Sequence, residues 1–318
     1  MLRLLAVLLL VSSAPAWAQS WPTKPVRIIA PFAPGGSADT LGRIVAQKLT
    51  ERFKENFVVE NRPGAGGIIG SELVARAAPD GYLLLVSGVA SHAVAPALPR
   101  GTPYDPVRDF THIALFGGPP AVLVVHPSVA ARDLKEFIAL LKREPGKYSY
   151  GSPGNGTHGQ LVAELLKQQA GIDMQHIPYK GASAAVADLI AGHIPVASVT
   201  LSTAAGQIHA GKARALALSA ATRLPDYPAV PTYAELGYPD LVATIWFSLS
   251  GPPRMPAEVV ERLNAAVRAA LEAPEVRERL RPEGIVPGRL TAPEFQAFLE
   301  AEVRRWAPVV RASGAKSD

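Results

Sequence analysis

The chain has 318 residues, no cysteine, a formal net charge of +5 and 48% hydrophobic residues. The lack of cysteine excludes disulfides, thiol catalysis and thiolate metal sites. Lysine and arginine are scattered rather than clustered, which argues against a nucleic-acid partner and fits a small anionic ligand.

Arg3, the apolar run Leu4–Val11 and then Ala16-Trp17-Ala18 have the layout of a signal peptide cleaved after Ala18. The run is too short to span a bilayer, and no later stretch is apolar for long enough. No cysteine follows it for lipid attachment. A soluble exported product of about 300 residues is expected, enough for two domains.

Val26–Ala30 then reads as a strand. Leu41–Phe53 has helical spacing, with Leu41, Ile44, Val45, Lys48 and Leu49 on one side. Phe57–Glu60 is a strand, Gly64–Gly67 a glycine turn, Ile68–Ala77 a helix and Tyr82–Ser87 a strand. A second set runs from the strand Ala121–Val125 through the helix Leu134–Lys142, the strand Lys147–Tyr150 and a helix reaching Lys167. It continues with the strand Met174–Ile177, the helix Ala182–Ala191 and the strands Ile194–Thr200 and Ala213–Ser219. Prolines crowd residues 225–239, and Leu241–Ser250 reads as a strand. Two helices close the chain, one after Pro256 and one over Pro293–Val310, where Thr291 and Glu294 form a capping box.

The βαβ order predicts an α/β fold with mainly parallel, doubly wound sheets. Two similar sets predict two lobes. After a signal peptide over 1–18, the first lobe takes 19–122 with 245–318, including the C-terminal helices, and the second takes 123–244.

Two strand–loop–helix junctions could carry chemistry. The first, Pro-Phe-Ala-Pro-Gly-Gly-Ser-Ala-Asp over 31–39, offers Gly35 and Gly36 for close approach and Ser37 for a hydroxyl, ahead of a helix start. It also reads as a plain turn with Ser37 as N-cap and Asp39 as a first-turn acid or a partner for a ligand ammonium. The second junction supplies Ser152, Gly154, Asn155, Gly156, Thr157 and His158. In a two-lobed α/β protein both would face one crevice at the strand C-termini. Ser87, at the end of a strand, would face it too, or belong to a plain βα connection. Tyr179 and Lys180 could place a phenol and an ammonium nearby, or form a surface turn.

Competing chemistries fit less well. Gly154, Gly156 and Gly159 spell a dinucleotide fingerprint, but Asp173 precedes its strand, the wrong end for a ribose contact. No Gly-x-Ser-x-Gly nucleophile elbow occurs. His92, His112, His126, His158, His176 and His209 show no metal-ligand spacing and read as surface or loop residues. No cofactor, metal or catalytic residue is expected.

The segments 31–39, Val-Glu-Asn-Arg-Pro-Gly-Ala-Gly-Gly (59–67), Pro-Asp-Gly-Tyr (79–82) and Pro-Tyr-Asp-Pro-x-x-Asp-Phe (103–110) form a series. It continues with Tyr-Gly-Ser-x-Gly-x-Gly (150–156), Pro-Tyr-Lys-Gly (178–181), Ala-Gly-Lys-x-Arg-Ala-Leu-Ala (210–217) and Val-Pro-Thr-x-x-Glu (230–235). In this order the chain resembles the solute receptors of tripartite tricarboxylate transporters, the Bug family. The resemblance implies a type II periplasmic binding-protein fold, a Venus flytrap of two lobes and a hinge. It implies a periplasmic, monomeric, non-enzymatic protein that holds a small carboxylate through main-chain N–H groups, hydroxyls and waters and delivers it to membrane permease subunits. By position it assigns Phe32, Gly35, Gly36, Ser37 and Asp39 in one loop, and Ser152, Gly154, Asn155, Gly156 and Thr157 in the other. The sequence departs at Gln160, where the family usually has His, and at Thr157, where it usually has Ser. Ala197 and Ser198 replace a bulky pair, implying a roomier second-lobe wall. The alternatives are an exported enzyme using Asp39, His158 or Lys180, and a receptor that signals to a membrane partner.

Overall fold

The computed structural model describes residues 21–32, 34, 35 and 37–313. The expected signal peptide and Gly36 lie outside the described residues.

The strands and helices alternate. In the first stretch come β1 (Val26–Ala30), α1 (Ser37–Phe53), β2 (Phe57–Asn61), α2 (Ile68–Ala75), β3 (Leu83–Gly88) and β4 (Thr111–Gly117). Then follow β5 (Ala121–Val125), α3 (Leu134–Arg143), β6 (Ser149–Ser152), α4 (His158–Ala170), β7 (Gln175–Pro178), α5 (Ala182–Ile190), β8 (Val196–Thr200), α6 (Leu201–His209) and β9 (Arg214–Leu218). The chain ends with β10 (Phe247–Gly251), α7 (Ala257–Glu272), α8 (Pro274–Leu280) and α9 (Ala292–Ala312).

Ten strands make two five-stranded sheets, ordered β2-β1-β3-β10-β4 and β7-β6-β8-β5-β9. Both are parallel except for the fourth strand: β10 runs against β3 and β4, and β5 against β8 and β9. In each sheet that reversed strand is the one whose chain arrives from the other sheet. The two crossings run side by side. Pro120 bridges Thr244, and Ile245 N donates to Pro119 O at 3.0 Å. A Cβ at Gly118 would fall on the Ile245 carbonyl, so the paired crossings need glycine there.

Apolar periodicity explains the layers. Leu41, Ile44, Val45 and Leu49 of α1 and Val259, Leu263 and Val267 of α7 cover one face of the first sheet. Each such side chain, fully buried, contributes about 1.5–3 kcal/mol. In the second lobe Leu189 of α5 and Leu201 and Ala204 of α6 pack against Val122, Val124 and Val199. A further cluster joins α3 and α4 to α9 and to the turn after β3, through Leu161, Leu166, Val94, Phe295, Leu299 and Trp306. The α9 capping box forms as its sequence requires, with Thr291 Oγ1 accepting from Glu294 N and Glu294 Oε2 accepting from Thr291 N.

Four elements differ from sequence expectation, among them α8, a third closing helix started by Pro274. The strand expected over 241–250 is confined to Phe247–Gly251, because the residues before it pair with the other crossing instead of a sheet. β4 was hidden by polar Thr111 and His112, whose polar atoms are satisfied inside the fold. α6 is rich in Ser, Thr and Gly, poor helix formers, and is held by packing of Leu201 and Ala204.

Candidate interlobe cleft

The opening loop is tied down by one carboxylate. Asp39, 4% exposed, sits in the first turn of α1. It accepts Gly35 N at 3.0 Å, Arg43 Nε at 3.0 Å and Asn61 Nδ2 at 2.9 Å. The Asn61 amide also donates to Phe32 O, closing the loop onto β2. Burial pushes the Asp39 carboxyl up, but hydrogen bonds from Arg43, Gly35 and Asn61 outweigh it and hold the acid below its usual range. Asp39 thus serves the loop itself.

The second loop is fastened in the same way by neutral groups. Gly156 N donates to Gln160 Oε1 at 2.7 Å, and the Gln160 amide meets His176 Nδ1 at 3.2 Å. His176 Nε2 lies 2.7 Å from Ser152 Oγ. Thr157, the α4 N-cap residue, donates its hydroxyl to Gly154 O at 2.7 Å. Gly159 presses α4 onto β8: a Cβ there would stand 2.2 Å from the Ser198 carbonyl. Ser198 in turn donates to Gly159 O.

Between the lobes these loops frame a cavity of about 360 Å³. From the first lobe it is lined by Phe32, Ser37, Ala38, Val89, Ala90 and Phe247, with Ile245 from the crossing. From the second come Pro153, Thr157, His158, Gly159, Gly181, Ala182 and Thr200. It meets a more open chamber of about 590 Å³ at Ser37, Ala182 and Thr200. The starts of α1, α4, α5 and α6 therefore converge on one space. First-turn N–H groups have no partner within their helix, and each dipole presents its positive end there. Such a ring suits an anion. A larger groove of about 740 Å³ lies between α1 and α7, by the C-terminal end of α1 and away from these helix starts.

Among the residues picked out from sequence, Phe32, Ser37, Thr157 and His158 line the inner cavity, and Gly35 and Ser37 line the outer one. The other described ones do not line either. Ser87 is buried in the first sheet, bonded to Ser248 at 2.6 Å and Ser250 at 2.7 Å. Ser152 and Gly154 are engaged within their own loop, Asn155 is exposed, and Gly156 N is already paired with Gln160. Tyr179 donates to Asp188 at 2.7 Å; burial and that carboxylate push its phenol up to about 12. Lys180 is exposed. Ser198 is buried against Gly159 of α4 and Ala197 is buried in the cluster under α5 and α6, and neither lines the cavity.

Three of the histidines depart from a surface role, while His209 is exposed as expected. His92, His112 and His158 are buried. His112 is satisfied by Pro106 O and Ser250 Oγ, and burial takes its pKa down to about 4. The His158 ring meets Trp306 edge-on, and neither ring nitrogen has a protein partner. Burial, with Arg305 adding to it, lowers its pKa to about 3. Sequence reasoning missed Thr200, Gly181, Ala182, Ile245 and Phe247 as lining residues. Thr200 ahead of α6 carried a local signal, a hydroxyl at a helix start, and Gly181 another, as the glycine of the Pro-Tyr-Lys-Gly turn before α5.

Comparison with known proteins fixes the family. The tripartite tricarboxylate transporter family receptor, TctC, matches residues 41–315. The chain belongs to this receptor family. BugT of Bordetella pertussis is 37% identical over 322 residues, covering 99% of each chain. A solved R. palustris protein with adipate is 32% identical, with a TM-score of 0.82 over 93% of this chain and 99% of that one. MatC from Rhodopseudomonas palustris with bound malate is 30% identical, with a TM-score of 0.78 over 91% and 99%. This TctC-family receptor thus has the two-lobed periplasmic binding-protein fold.

Proposed function

We propose that the protein is a periplasmic solute-binding receptor that captures a small carboxylate between its lobes and delivers it to the membrane subunits of a tripartite tricarboxylate-type transporter. The observation that carries this reading is the convergence of four helix starts, from both lobes, on one cavity. Relatives of the same fold hold adipate and malate. Charge-assisted hydrogen bonds contribute about 1.5–3 kcal/mol each, so a few of them outweigh an association cost of at least ~4 kcal/mol. Because the donors come from both lobes, the form that brings the lobes together is the one favoured by ligand.

The gripping groups are assigned to the first turns of the helices, with Ser37 and Thr200, rather than to the Gly35 and Gly156 nitrogens, which the protein already occupies. The lobe division at 19–122 with 245–318 and 123–244 belongs to the same reading, with the paired crossings as hinge. An enzyme is disfavoured: Asp39 is bound to Arg43 and Asn61, and Lys180 lies off the cavity.

The test is calorimetric titration with a carboxylate panel, on the wild type and on Ala182→Trp. Ala182 is half-buried at the meeting of both chambers and at the edge of the second-lobe core, so an indole there fills the cavity and the melting temperature reports whether that core is kept. Binding by the wild type and its loss in the variant are expected, with unchanged melting temperature. Equal affinity in both would overturn the site, and turnover of a bound acid would restore the enzyme.

A further inference from the structure

The two chambers differ in character, and neither offers a cation. The inner one is walled by Phe32, Val89, Ile245 and Phe247. The outer one is rimmed by hydroxyls and by the carboxylate of Glu283. Among the described residues, no lysine or arginine lines either.

We infer that the ligand carries a single carboxylate on an apolar body, with the charged end at the shared ring of helix starts and the body in the inner chamber. This rests on the carboxylate-receptor reading and sharpens it. A second carboxylate would have two places to go. Inward, it would lose water among apolar carbons and find no ion to pair with, which is costly. Outward, it would meet Glu283, and like charges at close range disfavour each other. His158, the other ionisable residue on the lining, gives no compensating charge, because burial keeps its ring neutral. The inner volume of about 360 Å³ is near the lower end for small-molecule pockets, which limits the body to something compact.

The experiment uses the intact protein and matched acids. Hexanoate and adipate share a six-carbon chain and differ at one end; 3-phenylpropanoate and malate contrast an apolar body with a polar one. Calorimetry should show at least one monocarboxylate binding about 10-fold or more tighter than either diacid. Glu283→Gln should narrow the ratio between adipate and hexanoate several-fold. Equal or tighter binding of a diacid by the wild type overturns the single-charge inference and leaves the carboxylate receptor standing. An unchanged ratio in Glu283→Gln overturns the part given to Glu283. Failure of all four acids and of a wider carboxylate panel would bring down the receptor reading, and this inference with it.

Discussion

In the first lobe Gly35 N donates to Asp39; in the second, Gly156 N donates to Gln160. Both acceptors stand four residues further on, in the first turn of the helix that follows. The first is a buried carboxylate balanced by Arg43 and Asn61, the second a neutral amide backed by His176. The comparison teaches that both loops are built before any ligand arrives. The glycine nitrogens shape the loops, and the starts of α1, α4, α5 and α6 line the cleft, with the first N–H of α6 already given to Pro120 O. It also separates two ways of doing this: one lobe relies on an ion pair, the other on a chain of neutral hydrogen bonds.

Asp39→Ala should be the most damaging way to break the symmetry. It strands the Gly35 N–H, leaves the Asn61 amide only Phe32 O and leaves Arg43 only Asn61 Oδ1, at a cost of about 2–3 kcal/mol in denaturant unfolding. Ligand affinity should fall as well, although Asp39 lines neither chamber, because the α1 start is no longer fixed. Gln160→Ala removes one neutral acceptor and should cost about 1–2 kcal/mol. A larger loss for Gln160→Ala than for Asp39→Ala would reverse the ranking.

Acid should tell the two loops apart. The Asp39 carboxyl is held below its ordinary value of 3.8. Its contribution is therefore fully present above that value and is lost as pH falls through the lower folded-state value. The stability gap between the wild type and Asp39→Asn should shrink over that range, while the gap between the wild type and Gln160→Ala stays flat. A different effect sets in earlier. His112, whose ordinary value is 6.5, titrates near 4 in the fold. Below 6.5 the unfolded chain takes up a proton that the folded chain refuses, so stability falls from 6.5 toward 4. His112→Gln should make that slope shallower without removing it, because buried His92 and His158 act in the same direction. The smallest effect belongs to Gln160→His, which keeps a ring nitrogen available as acceptor and should change stability by less than about 1 kcal/mol.

Much of this was legible locally. The β1–α1 and β6–α4 junctions follow from an apolar run, a glycine loop and a helical stripe, all contiguous in sequence. The cap of α9 follows from Thr291 and Glu294. Asp39 as a first-turn acid was readable too, but its link to Asn61 was not, since β2 supplies that partner from 22 residues away. The cavity wall was the least legible part. Ile245 and Phe247 reach it only because the chain returns from the second lobe, and no pattern near either residue announces that return. Ser87 looked available at the end of a strand, yet two serines from β10 enclose it. Surface and buried hydroxyls look alike in sequence; only the neighbouring strand distinguishes them.

The tryptophans at 246 and 306 both donate to a single oxygen of Glu302, and Arg305 reaches back to the carbonyls of Asp240 and Val242. These contacts, with Phe295 and Leu299, complete a cluster whose other members lie as far back as Val89. During synthesis the ribosome delivers α9 after every other part of that cluster. Until then α4, β4 and the turn after β3 have an uncovered flank, so this region can finish folding only once residues up to Val310 have been made.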